Sequence, residues 1–414
     1  MLAGTLLGQA ASVVLSPVLT RLYTPEQFGW LSVYTAVLSI LGVMAALGFD
    51  QAIPIAESIP ELANLLAVSA VSLLGAVSLL SLATWLVPQF HSMVPWFGPL
   101  AQYSFLLPVG FFCLGGYYVM VAVATRLGAF RQIAQSRISQ GLGGPLSQIV
   151  FGLLGFGAPG LTVGFVIGQS SGTLMIASRV RRDAPDLRSH MSLRGMVAVA
   201  RRYAGFPLFA SWSRLLDMAG GGTVLFLLFS ACYSSEVAGY LFLIERVIAR
   251  PLLVVSTSLL QVFTGEAGRA VRQEPAKFRR RFWQVVPQQL LLSAAWILVA
   301  NLVAAWAFPL LFGQQWSATI PYLRAASAAY LALSVLHPVS NSLQILERQV
   351  LSASWQVARL ILVVGSVVVA WRFGYSALTA LWICSVVQTA ACLVMLGLIA
   401  LSIERIQPRQ IEPT

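Results

Sequence analysis

The amino-acid sequence predicts an all-α integral membrane protein whose twelve transmembrane helices form two six-helix lobes. Hydrophobic residues make up 58% of the 414 residues and charged residues only 10%, whereas roughly a quarter of the residues in a soluble domain are charged. A chain with so few charges cannot cover a surface that faces water. Apolar runs of about twenty residues, long enough to cross the hydrocarbon core of a bilayer, recur from end to end. The bilayer is therefore the expected solvent.

The apolar runs define the predicted helices in order. They cover residues 1–20, 28–55, 62–86, 99–124, 141–157, 159–179, 203–230, 236–262, 284–308, 319–343, 351–371 and 376–402. The longest polar break lies between the sixth and seventh helices and divides the chain near its midpoint. We therefore expect an N-terminal lobe over residues 1–180, a cytoplasmic linker over 181–202, a C-terminal lobe over 203–404 and a cytoplasmic tail over 405–414.

The connectors between the predicted helices alternate in charge. Basic residues concentrate after helices 4, 6, 8, 10 and 12, while the connectors on the opposite side hold only Arg21 and Arg372. Cytoplasmic loops carry an excess of Lys and Arg, so both termini are expected in the cytoplasm. The net charge of +12 is explained by these loops, and no nucleic-acid partner is expected.

No cofactor or metal is expected. The four cysteines, Cys113, Cys232, Cys384 and Cys392, lie in apolar segments without metal-ligand spacing, which is typical of packing residues. The glycine-rich patterns are not followed by GK[ST], so the sequence has no phosphate-binding loop of an ATPase.

The stretch "TRLYTPEQFGW", residues 20–30, is predicted to be a turn between helices 1 and 2 on the outer face. Thr24, Pro25 and Gln27 match the N-cap, N1 and N3 positions of a capping box with proline at the first helical position. Arg21 falls at the C-terminal end of helix 1, where a cation suits the helix dipole. A contact between Arg21 and cargo in an outer cavity is the alternative.

The same turn recurs after helix 7. "YTPEQFGWL", residues 23–31, aligns with "YSSEVAGYL", residues 233–241, at an offset of 210 residues, and Ser234 repeats the N-cap. Each copy follows the first helix of its half. Because six helices per half is an even number, both halves enter the membrane from the same side, and the sequence predicts a parallel repeat around a central cavity.

The stretch "LSPVLTRLYTPEQFGWLSVYTAVLSILGVMAALGFDQAIPIAES" resembles the N-terminal signature of the polysaccharide transporter (O-antigen flippase-like) family. That family belongs to the superfamily of the multidrug and toxin extrusion (MATE) transporters and the lipid II flippases. The matching residues are Ser16-Pro17, residues 20–26, Gly29, Ala52-Ile53, Glu57 and Glu61. The chain departs from the signature before the Ala-Ile pair, where Asp50 and Gln51 stand in place of the expected Glu.

The resemblance implies a MATE-like fold and a flippase. Alternating access with a cationic central cavity is the expected mechanism. The cargo of the flippase would be undecaprenyl-diphosphate-linked oligosaccharide repeat units for O-antigen, capsule or exopolysaccharide assembly, moved across the bacterial inner membrane. The implied partners are the lipid-linked oligosaccharide, the bilayer, and the polysaccharide polymerase and glycosyltransferases of the same pathway.

Charged residues inside the predicted spans concentrate in the second half. They are Arg214 and Asp217 in helix 7, Glu245, Arg246 and Arg250 in helix 8, Arg324 in the outer part of helix 10, and Arg359 in the inner part of helix 11. An Arg at the centre of a span costs roughly 2.5–3.5 kcal/mol on insertion scales, so it persists where it lines water or serves a function.

Two interpretations of these charges stay open. In the first, Asp217 pairs with Arg246 and Arg214 with Glu245, which leaves Arg250, Arg324 and Arg359 without intramembrane acids. In the second, Arg246, Arg250 and Arg359, together with Arg214, contact the diphosphate or an acidic sugar, and Arg324 lies near the outer exit; guanidinium groups bind phosphate bidentately. Snorkelling toward the cytoplasmic headgroups is a further alternative for Arg250.

Asp50, near the cytoplasmic end of helix 2, is a candidate for ion coupling or hydrogen bonding, and Asp217 and Glu245 are candidates for coupling or pairing.

A multidrug or cation antiporter of the same superfamily is the closest alternative function, but it needs embedded acids, whereas this chain has surplus arginines. A polysaccharide polymerase or ligase is less favoured, since the outer loops are short and offer only His91 as a general base. The protein is not expected to be an enzyme.

Overall fold

The computed structural model describes residues 2–86, 104–207, 215 and 222–404. Helices joined by short turns make up these ranges, and no β-strand occurs within them. The chain packs into two compact units, Met1–Gly239 and Tyr240–Thr414. Residues 208–214 and 216–221 of the predicted helix over residues 203–230 lie outside the described residues.

The first unit consists of helices, and the connections described between them are turns and short 3₁₀ helices. Its helices are α1 (Leu2–Val14), α2 (Ser16–Leu22), α3 (Pro25–Gly42), α4 (Ile59–Leu86), α5 (Leu106–Arg126), α6 (Phe130–Leu153), α7 (Gly157–Asp183), α8 (Leu193–Arg202), α9 (Val224–Cys232) and the start of α10 (Ser235–Ile244). Side-chain hydrogen bonds between α6 and α7 reinforce its packing, such as Gln140 Nε2 donating to Gln169 Oε1 at 2.9 Å.

The second unit begins inside α10 and continues through a π-helical turn, Glu245–Ala249. Its further helices are α11 (Arg250–Gln273), α12 (Pro275–Phe312), α13 (Thr319–Leu336), α14 (Ser342–Ile345), α15 (Gln349–Arg372) and α16 (Ala377–Glu404). A cluster of buried side chains, including Phe263, Phe278 and Phe282, forms its apolar core.

Eight of the described helices are long and apolar enough to cross a membrane. They cover Ile59–Leu86, Leu106–Arg126, Gly157–Arg182, Ser235–Gly265, Ala276–Phe312, Thr319–Ile345, Gln349–Arg372 and Ala377–Glu404. These correspond to the third, fourth, sixth and eighth to twelfth predicted helices. The first, second and fifth predicted segments are also helical, but they are shorter or more polar.

The predicted second helix, residues 28–55, is wrong in its second half. Helix α3 ends at Gly42, and the chain then turns through Leu47 and Gly48, whose φ angles are 49° and 77°. Two short 3₁₀ helices follow, Phe49–Gln51 and Ile53–Ile55. Asp50 therefore lies in a buried 3₁₀ turn, 8% exposed, and not at the end of a long helix.

The capping box at the start of α3 is confirmed. The backbone N–H of Gln27 donates to Thr24 Oγ1 at 3.3 Å, and the backbone N–H of Thr24 donates to Gln27 Oε1 at 3.1 Å. Ser234 repeats half of this arrangement before α10, because its Oγ accepts from the backbone N–H of Val237 at 3.2 Å. The two copies of the motif thus begin their helices in the same way.

The two motif copies also contact each other within the first unit. A Cβ atom added to Gly29 would overlap the carbonyl oxygen of Ser235, and one added to Gly239 would overlap the carbonyl oxygen of Pro25. Gly29 and Gly239 are equivalent in the repeat, as are Pro25 and Ser235. The contact is therefore reciprocal, as expected for segments related by a local two-fold axis.

Candidate functional site

The candidate site is built around the π-helical turn Glu245–Ala249, which interrupts the span Ser235–Gly265. The backbone N–H of Arg250 donates to the carbonyl oxygen of Glu245, five residues earlier. Turns of this kind are rare and occur mostly as single-turn insertions in α-helices, frequently at functional sites. Here the turn places charged side chains inside the apolar part of the span.

The π-turn brings Glu245 and Arg250 together. Arg250 Nε donates to Glu245 Oε1 at 3.2 Å, and Arg250 Nη2 donates to Glu245 Oε2 at 3.4 Å. The expectation that Arg250 has no intramembrane acid is therefore wrong. The physical reason lies in the backbone: the π-turn, with its hydrogen bond between residues five apart, brings Glu245 and Arg250 to one face, whereas in an α-helix such positions diverge, so helical spacing alone did not reveal the pair. The alternative partners, Arg214 and Asp217, lie outside the described residues.

A tryptophan from a neighbouring helix supports the π-turn. Trp296 of α12 donates its indole N–H to the carbonyl oxygen of Ile248 at 3.2 Å. A π-turn disturbs the regular ladder of backbone hydrogen bonds, and a carbonyl in a span needs a donor because lipid supplies none. The guanidinium of Arg250 also lies 6.0 Å from the centre of the Phe242 ring.

Arg246 and Arg359 are the two buried arginines in the part of the chain that the structure describes. Arg246, within the π-turn, is 5% exposed, and Arg359, in the middle of α15, is 7% exposed. The guanidinium carbon of Arg359 lies 4.9 Å from the centre of the Trp355 ring, within cation–π range. Both arginines belong to the second unit and to membrane-crossing helices.

The other sequence-predicted cations have a different environment. Arg324 is exposed near the start of α13, and Arg21 is exposed in the last turn of α2. The position of Arg21 in that turn confirms the predicted helix end.

A polar cluster in the first unit was missed by sequence reasoning. Arg202, the last residue of α8, donates from Nη1 to Glu61 Oε1 at 2.8 Å and from Nη2 to Glu57 Oε1 at 2.6 Å. Tyr203 Oη donates to Glu61 Oε1 at 3.0 Å. The hydrogen bond to Glu57 raises the pKa of Arg202 above its ordinary value. The only signal in the sequence was the presence of Glu57 and Glu61 in the family signature.

This cluster, with a second set of bonds nearby, holds the segment after α7 against the start of α4. Asn64 Nδ2 donates to the carbonyl oxygen of His190 at 3.2 Å, and the backbone N–H of Ser192 donates to Asn64 Oδ1 at 3.0 Å. The predicted linker therefore packs on the first unit as an ordered 3₁₀ turn and helix.

Among the described residues, no group of three or more His, Cys, Asp or Glu side chains is placed to hold a metal ion. His337 lies beside Thr257, with Nε2 and Oγ1 3.2 Å apart. His190 is exposed in the linker, and His91 lies outside the described residues.

The sequence matches one family model over most of its length. That model, described as "Polysaccharide biosynthesis protein", covers residues 18–321. No curated protein matches the sequence significantly.

Solved membrane transporters share the fold. An inward-facing multidrug resistance MATE family transporter of the MOP superfamily is 15% identical with a TM-score of 0.68, over 98% of this chain and 95% of its own. The lipid II flippase MurJ, in an inward closed conformation, is 12% identical with a TM-score of 0.68, over 96% of this chain and 85% of its own.

A MOP superfamily transporter from Pyrococcus furiosus has the same fold. It is 16% identical with a TM-score of 0.60, over 98% of this chain and 95% of its own, and the reverse polarity of its binding pocket is described as suggesting a different function. At these identities the likeness establishes the fold, which is that of MATE transporters and the lipid II flippase.

Proposed function

Because the chain belongs to the polysaccharide biosynthesis protein family, we propose that it is a flippase for undecaprenyl-diphosphate-linked oligosaccharide repeat units. It moves them from the cytoplasmic to the periplasmic leaflet of the bacterial inner membrane, for O-antigen, capsule or exopolysaccharide assembly. The fold shared with transporters and a lipid flippase supports this function over an enzymatic one.

The observation that carries the proposal is the burial of two arginines, Arg246 and Arg359, in membrane-crossing helices of one unit. Taking a guanidinium out of water costs several kcal/mol unless an anion and hydrogen bonds compensate it. A lipid diphosphate faces the same cost when its headgroup enters the membrane. Its oxygens accept the paired N–H donors of guanidinium groups, so the cargo and the arginines offset each other's desolvation.

The charge distribution favours an anionic cargo over a cationic drug. The buried charged residues described in the second unit are both arginines. The buried acids, Asp50 and Glu61, lie in the first unit, and Glu61 accepts hydrogen bonds from Arg202 and Tyr203. Glu245 is bonded to Arg250. A cation antiporter would need acids that are not already engaged by arginines.

The proposed architecture has twelve spans in two parallel six-helix lobes, with both termini in the cytoplasm. The reciprocal contact of Gly29 and Gly239 supports a two-fold repeat, because it joins equivalent positions of the two motif copies, and an even number of helices per half would make that repeat parallel. Alternating access between the lobes would carry the headgroup past the arginines while the polyprenyl chain stays in the bilayer. The polymerase and the glycosyltransferases of the pathway are the proposed partners.

The proposal is tested by deletion of the gene in a strain without a second flippase. Lipid-linked oligosaccharide should accumulate in the cytoplasmic leaflet and surface glycan should be lost. Arg246→Ala and Arg359→Ala should each fail to restore surface glycan at wild-type protein levels, whereas Arg188→Ala, an exposed linker residue, should restore it. Normal surface glycan in the deletion strain would refute the function.

A further inference from the structure

The pairing of Glu245 with Arg250 exists because of the π-turn. In a regular α-helix, with 3.6 residues per turn, positions i and i+5 point about 140° apart. The π-turn Glu245–Ala249 adds the residue that brings both side chains to one face, where they meet at 3.2 Å. The uncommon backbone and the ion pair are therefore one feature.

This ion pair lies deep in the membrane and is still accessible. Arg250 is the middle residue of the 31-residue span Ser235–Gly265, and Glu245 lies one helical turn before it. The side chain of Arg250 is 39% exposed and that of Glu245 is 27% exposed. An anion that reaches this depth can contact Arg250, but it must compete with the carboxylate already there.

We infer that Glu245 determines which lipid headgroups the site accepts, by occupying Arg250 until a headgroup with more than one charged phosphate displaces it. This inference rests on the proposed function and names a specificity residue for it. The phosphodiester of a bulk phospholipid carries one negative charge, as the carboxylate does, so replacing one with the other yields little free energy. A sugar-linked diphosphate carries two charged phosphates. One can replace Glu245 on Arg250 while the other contacts a second cation such as Arg246.

The competitor matters because bulk phospholipid outnumbers any lipid-linked oligosaccharide in the membrane. A site of bare arginines would fill with phosphatidylglycerol. The carboxylate of Glu245, held in place by the backbone, lowers the affinity of the site for singly charged headgroups but reduces its affinity for doubly charged ones only slightly. Specificity of this kind comes from repelling the wrong ligand. The π-turn makes this possible because it fixes the carboxylate beside the arginine.

The test measures headgroup competition on the purified full-length protein in neutral detergent. The probe is geranylgeranyl diphosphate, and the competitor is phosphatidylglycerol. Wild-type protein should bind the probe, and phosphatidylglycerol should compete weakly. Glu245→Gln keeps the size and an acceptor oxygen but removes the charge, so phosphatidylglycerol should compete about tenfold more strongly, while affinity for the probe changes less.

Three further variants separate the possible results. Arg250→Gln should weaken probe binding, and adding Glu245→Gln to it should not raise the affinity for phosphatidylglycerol, because the arginine that would bind it is gone. Glu236→Gln, the same substitution at an exposed position in the first turn of α10, should behave like wild type. Size-exclusion profiles and melting temperatures establish that each variant is folded.

The outcomes distinguish this inference from the proposed function. If wild-type protein binds the probe and Arg246→Ala abolishes binding, but Glu245→Gln leaves the competition unchanged, the role of Glu245 is overturned and the flippase proposal stands. If wild-type protein does not bind the probe, the cationic cargo site is overturned, and the selectivity of Glu245 with it.

Discussion

Substitution of Gly29 by alanine tests the reciprocal contact between the two motif copies. An added Cβ would overlap the carbonyl oxygen of Ser235, and backbone atoms cannot move aside as a flexible side chain can. The starts of α3 and α10 would have to separate. Overpacking of this kind typically costs about 1–3 kcal/mol. We expect Gly29→Ala to lower the melting temperature of the purified protein.

Gly239→Ala should have a similar effect, because its Cβ would overlap the carbonyl oxygen of Pro25 and lie 3.0 Å from the backbone nitrogen of Gly29. Carbon contacts are optimal at about 3.5–4.0 Å. The double variant should cost less than the sum of the two single variants, because one separation of the helices relieves both overlaps.

The matched control is Gly75→Ala. Gly75 lies in the middle of α4, and a Cβ there would meet no atom within 4 Å. Replacing an interior helix glycine by alanine stabilises by roughly 0.5–1 kcal/mol, so this variant should melt at the same temperature or higher. If Gly29→Ala melts like Gly75→Ala, the two motif copies do not make the close contact described.

Three further substitutions are informative. Glu61→Gln removes the charge that Arg202 contacts, and should make the linker segment over residues 184–192 more sensitive to limited proteolysis. Arg359→Lys keeps the charge but loses the planar guanidinium that stacks on Trp355 and binds phosphate bidentately, and should reduce surface glycan in a complementation assay. Thr24→Ala removes the α3 cap and should lower stability by about 1 kcal/mol, seen as a lower melting temperature.

The first two of these substitutions each have a control from an exposed position. Glu26→Gln, in the first turn of α3, should leave the linker protected, and Arg188→Ala should leave glycan export intact. Equal protease sensitivity of Glu26→Gln and Glu61→Gln would contradict the role of the Glu61–Arg202 pair. Full export by Arg359→Lys would show that charge alone is sufficient at that position.

Local features of the chain were predictable because their causes are local. The apolar runs predicted the eight described membrane-crossing helices, since a segment that faces lipid on most sides must be apolar along its length. The capping box of Thr24 and Gln27 followed from residues three positions apart. The end of α3 at Gly42 was missed because the residues after it are as apolar as the helix, so hydropathy carries no signal there.

The candidate site was predictable in composition but not in pairing. The sequence identified Glu245, Arg246, Arg250 and Arg359 as charges inside spans, because charged residues in apolar runs are rare. It left Arg250 without an acidic partner, because a pair of side chains five residues apart is not expected in an α-helix, whereas the structure pairs Arg250 with Glu245. It also missed the contact of Glu61 with Arg202, which are 141 residues apart in the chain.

The sequence by itself determined that this chain is a helical membrane protein with a repeated turn and with arginines inside its spans. Hydropathy and capping depend on neighbours within one helix, so both can be predicted from residues that are close together in the sequence. Only the tertiary structure decided which arginines are buried, that a π-turn joins Glu245 to Arg250, and that Gly29 and Gly239 touch. Burial and close contact depend on how distant helices pack, and a backbone insertion of one residue changes which side chains share a face.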